Sequence, residues 1–74
     1  MGVVDDLADG LAKDAIAVAN AIGGDDVIYE TAKILEATSA TMHESYMTSV
    51  RVRLAERRAR EFLAEKLPPD VDPV

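Results

Sequence analysis

The stretch DDVIYETAKILEATSATMHESYMTSVRVRLAERRAREFLAEKL, residues 25–67, contains neither glycine nor proline. Those two residues are the strongest interrupters of a helix, so well over half of the 74-residue chain reads as one helical track. Along it Val27, Thr31, Ile34, Thr38, Thr41, Ser45, Thr48, Val52, Ala55, Ala59 and Phe62 recur at alternating spacings of four and three, a heptad seam. Ile28, Leu35 and Met42 thicken one flank of the seam, and Tyr46, Val50 and Leu54 form a second stripe beside it. Two apolar faces predict two partners.

The segment before the track is a second helix. Val4, Leu7, Leu11, Ala15, Val18 and Ile22 are spaced three or four apart, and Ala8, Ala12, Ile16 and Ala19 form a parallel row. Asp5 and Asp6 fall in the first turn, where a negative charge favours the helix dipole. Gly10 interrupts this pattern and marks either a close helix crossing or a late helix start. Gly23-Gly24 supplies a stop, and Asp25 or Asp26 an N-cap for the long track.

The expected fold is therefore all-α: a helical hairpin with a short helix over about 3–22 and a long helix over about 26–66. At ~1.5 Å per residue the long helix would measure about 60 Å against about 30 Å for the short one, leaving roughly half of it uncovered. The mismatch predicts an antiparallel homo-oligomeric bundle, in which the acidic Asp5, Asp9 and Asp14 of one chain lie near the basic 51–60 region of another. The alternative is a monomeric three-helix bundle with a break near residue 40. The run Ala37 to Thr41 is weak in helix propensity, and Thr41 with Glu44 has the form of a capping box. Residues 1–67 read as one domain and 68–74, rich in proline, as an extended tail. The terminal Asp72-Pro73-Val74 faintly matches ligands of domains that capture a C-terminal carboxylate.

Composition narrows the function. There is no cysteine, which removes disulfides and thiolate metal sites and fits a reducing, cytoplasmic setting. The first ten residues carry three aspartates and no basic region, unlike a secretory signal, and Asp6 stands where a myristoylation motif needs Ser or Thr. No apolar run approaches the ~20 residues of a membrane span. The formal charge of −6 is polarised: −7 over residues 1–44, +3 over 45–66 and −2 in the tail. An acidic balance argues against general nucleic-acid binding.

Few residues offer chemistry. His43 is the only histidine, and a metal site built on it needs Glu30, Glu36 or Glu44 from another chain, because none of them sits one helical turn away. The serines have neither a glycine-rich elbow nor a strand to present them. The hydroxyls of Thr31, Thr38, Thr41, Ser45 and Thr48 are expected to bond carbonyls one turn back. Arg53, Arg57 and Arg60 share a face and form the one basic recognition patch. The function expected is non-enzymatic, without a cofactor. It is a small assembly or adaptor protein that binds itself and a larger protein through Ile34, Leu35, Met42, Tyr46, Val50, Leu54 and Phe62. An inter-chain carboxylate/histidine metal bundle and a nucleic-acid regulator acting through the arginine face are the two rival classes.

Overall fold

The computed structural model describes residues 2–70. Most of the proline-rich tail, including Asp72-Pro73-Val74, lies outside them. The described residues form three helices and no strand: α1 (Val3–Ile22), α2 (Asp26–Thr38) and α3 (Ala40–Lys66).

α1 starts and stops where its sequence signals stand. Gly23 takes the left-handed conformation (φ 77°, ψ 27°), which glycine adopts without steric cost. The N–H groups of Gly23 and Gly24 both donate to the Ala19 carbonyl, at 2.9 and 3.1 Å. Asp25 occupies the N-cap position of α2 but makes no side-chain cap bond. Gly10 sits in mid-helix with nothing within 4 Å of where a Cβ would be, so it marks neither a close crossing within the chain nor a helix start.

The long helix expected over 26–66 does not form. Ser39 breaks it, with an extended backbone at φ −160°, ψ 105°. This one residue serves both helices. Its N–H donates to the Leu35 carbonyl at 2.7 Å and closes α2, while its side-chain oxygen accepts from the Met42 N–H at 3.2 Å and opens α3. The cap is thus Ser39, not Thr41 with Glu44. A serine three residues before a helical N–H satisfies a donor that the helix cannot, and that bond offsets part of what the break costs.

Cross-links between α1 and α3 ascend together. Asp5 meets Ser45, Asp9 meets Arg53, and Asn20 meets Arg57. The two helices therefore run in the same direction, and α2, joined to each by a short connection, carries the chain back between them. The acidic α1 does meet the basic segment, but within one chain rather than between two.

The packed face draws on three of the apolar rows. The core consists of Ala8, Ala12, Ala15 and Ala19 of α1, Ile28 and Ala32 of α2, and Tyr46 and Val50 of α3. Leu35, Met42 and Leu54 pack partly buried against it. The flank and second stripe thus turn inward, and most of the heptad seam turns outward: Ile34, Thr38, Thr41, Thr48, Val52, Ala55, Ala59 and Phe62 are exposed, while Val27, Thr31 and Ser45 are partly buried. Alanines win the interior of α1 because small side chains let helix backbones approach closely, which improves packing along the whole contact. Val50 of the second stripe is buried and Leu54 partly so, within one chain.

Tyr46 is the largest core side chain and is fully buried, and its hydroxyl donates to the Ile28 carbonyl at 2.7 Å. Burial pushes its phenol up from the usual range near 10. With so few large residues inside, the molecule is elongated, 49 × 29 × 13 Å. Its radius of gyration of 14.8 Å exceeds the ~11 Å typical of a compact chain of this length.

Candidate functional site

Three surfaces carry the residues of interest, and the arginine face comes first. Arg53 grips Asp9 with a two-pronged pair, Nε to Oδ1 at 2.9 Å and Nη2 to Oδ2 at 2.7 Å. That guanidinium, hydrogen-bonded and charged, holds the Asp9 carboxyl below its usual range, with the nearby Ser49 hydroxyl acting in the same direction. Arg57 Nη1 donates to the Asn20 side-chain oxygen at 2.8 Å, and Arg60 Nε to Glu56 at 3.0 Å. All three arginines proposed for recognition are engaged inside the chain, two of them tying α3 to α1. Glu56 and Arg60 pair one turn apart on α3, whereas Arg57 reaches Asn20 rather than Glu61, four residues on.

The second surface surrounds His43, which is half-buried near the start of α3. Among the described residues no three His, Asp or Glu side chains gather closely enough to hold a metal ion. Glu30, Glu36 and Glu44 are exposed on two different helices. The hydroxyls do as expected at three positions: Thr31, Thr38 and Thr48 donate to the carbonyls of Val27, Ile34 and Glu44. Ser45 departs from this and donates to Asp5 Oδ1 at 2.6 Å.

The third surface is the uncovered apolar one, and it has two parts. On α3 the seam runs outward through Val52, Ala55, Ala59, Phe62 and Leu63, with Val52 63 % and Phe62 57 % exposed. Beyond the end of α1 the helix stands alone, and every residue from Arg58 to Lys66 is exposed. The Lys66 ammonium lies 5.6 Å from the centre of the Phe62 ring, within range of a cation–π contact. On α1 the outer face presents Leu7, Leu11, Val18 and Ile22, with Leu7 57 % and Ile22 67 % exposed. Asp14 falls among them at the heptad spacing.

The total accessible area is 5596 Å². A compact 8.0 kDa protein would show about 4,450 Å². The difference reflects the elongated shape and the uncovered end of α3.

The seam legible in the sequence is apolar at its α3 end, and there the chain's own helices leave it uncovered. On α1 the alanine row packs inward and the row of Leu7, Leu11, Val18 and Ile22, equally legible in the sequence, forms the outer face. The chain was compared with protein-family models, with curated proteins and with solved structures, and it matches none of them. No helix among the described residues is long and apolar enough to cross a membrane.

Proposed function

We propose that this chain is a small helical assembly module that acts by binding protein, itself first, and carries no catalytic chemistry of its own. One observation supports this above the others: the α3 seam from Val52 to Leu63 is apolar, regular in spacing and uncovered. Contiguous apolar surface on this scale marks interaction sites in monomeric folds. A core of five alanines with Ile28, Tyr46 and Val50 supplies little stability alone, and association is a natural further source for a chain without cysteine.

The two apolar faces point to two kinds of contact. The α3 seam serves the homo-oligomer, and the outer face of α1, with Leu7, Leu11, Val18 and Ile22, is left for a larger protein partner. Sedimentation equilibrium with light scattering on the full chain tests the first. Association that rises with concentration supports it; a strict monomer through high micromolar concentration refutes it.

A further inference from the structure

The two ends of α3 complement each other. Toward its N-terminal end lies an open groove of about 340 Å³, lined by Val4 and Asp5 of α1 and by Thr41, Glu44, Ser45 and Thr48 of α3. Those four α3 residues stand at i, i+3, i+4 and i+7, the diamond that receives a knob in coiled-coil packing. Val4 and Asp5 add a wall on one side. The Ser45 and Thr48 hydroxyls already donate, to Asp5 and to the Glu44 carbonyl, so neither loses a partner when an apolar side chain covers them. The rim is acidic.

Two heptads on from Thr48, on the same face of α3, stands Phe62, exposed and carried on a helix that nothing in its own chain covers. One turn further is Lys66, already beside the ring. The groove calls for a helix that offers an apolar knob and, four residues later, a cation. This chain is such a helix.

We propose that the groove is occupied by a second copy: the α3 helices of two chains pair antiparallel about a twofold axis, each Phe62 entering the other's groove with Lys66 beside Glu44 and Asp5. This rests on the self-association reading above and specifies its contact. Placing Phe62 opposite the partner's Ser45 sets Ala59 opposite Thr48 and Val52 opposite Ala55. The helices then approach closely in the middle, where side chains are small. The contact is made twice, so the dimer closes and leaves no groove for a third copy. The register brings Arg51 toward the partner's Arg58 and, by the same offset, Glu44 toward the partner's Glu65 as well as the partner's Lys66; all are exposed at the rim, where solvent screens the like-charge repulsion.

The test is the dimerisation constant of the full chain by sedimentation, with circular dichroism to confirm that each variant keeps its helices. Phe62→Asp changes an exposed residue, so the fold persists and the dimer weakens by roughly tenfold or more, as for loss of a buried aromatic anchor. Lys66→Glu and Glu44→Lys each weaken it several-fold, and the chain carrying both recovers the loss. A dimer indifferent to Phe62→Asp, or a double variant weaker than either single one, overturns this contact while leaving self-association standing. A wild-type chain that stays monomeric overturns both.

Discussion

Removing the Tyr46 hydroxyl isolates one buried hydrogen bond in a core small enough to register it. Tyr46 is fully buried and donates to the Ile28 carbonyl at 2.7 Å, the contact that locks α3 to the start of α2. In Tyr46→Phe the ring still fills its site. The Ile28 carbonyl keeps its own helical partner one turn on, so no acceptor is stranded. What is lost is the net value of one neutral hydrogen bond, about 1 kcal/mol within a range of 0.5–1.5. For a domain of this size that shifts Tm down by about 4–8 °C. Tyr46→Ala also removes the ring and costs about 3–5 kcal/mol. Because a core this small supplies only ~3–5 kcal/mol, that variant is largely unfolded at room temperature. The assay is thermal and urea unfolding by far-ultraviolet circular dichroism at one fixed protein concentration, so that association does not enter the comparison. Tyr29→Phe is the control: Tyr29 is about half exposed and its change stays within about 0.5 kcal/mol. Equal melting of Tyr46→Phe and Tyr29→Phe would refute the buried bond and with it the docking of α2 on α3.

Two further outcomes concern the joints between helices. Ser39→Ala removes the cap of α3 and lowers stability by about 1 kcal/mol, while Ser39→Asp, which keeps an acceptor, restores most of it; an alanine variant as stable as wild type in urea would show that α2 and α3 prefer to run on as one helix. The Asp9–Arg53 pair makes stability depend on acid. Asp9 has a folded pKa below its unfolded value near 3.8, so its contribution is present above that value and is lost as pH falls through the folded one. Urea midpoints of wild type and Asp9→Asn should differ at pH 6 and draw together as the pH falls below 3.8, and a gap that stays constant with pH would rule the linkage out.

The helix boundaries were legible because they are set locally. Gly23-Gly24 can only end α1, and Pro68 forces Leu67 into the extended conformation that closes α3 (φ −68°, ψ 129°). The break at Ser39 was only half legible. The weak run around it was visible, but the capping-box pattern points to Thr41 and Glu44, whereas Ser39 has Met42, which cannot reciprocate, three residues on. Which of the rows turns inward was not ranked by the sequence pattern. The seam and the second stripe on α3 both recur with the helical period, as do the alanine row and the leucine row on α1. Periodicity finds rows and does not rank them; the ranking came from how closely alanines allow the helices to approach. The ties of the arginine face were partly legible for a related reason: the charge polarity points Asp9 toward the 51–60 region, whereas i,i+4 spacing shows partners on the same helix only and gives no sign of Asn20.

The end of α1 partway along α3 also divides that helix by how long its backbone amides stay closed. Around Tyr46 and Val50 the N–H groups open only when the core does, so their hydrogen exchange reports global unfolding. From Arg58 to Lys66, exposed on every side, they open by fraying, and in an isolated chain they exchange many times faster although geometry shows one continuous helix. Slowed exchange in that last stretch therefore has a single kind of cause, a neighbour laid along it, and its dependence on protein concentration tells whether the neighbour is another copy of the same chain.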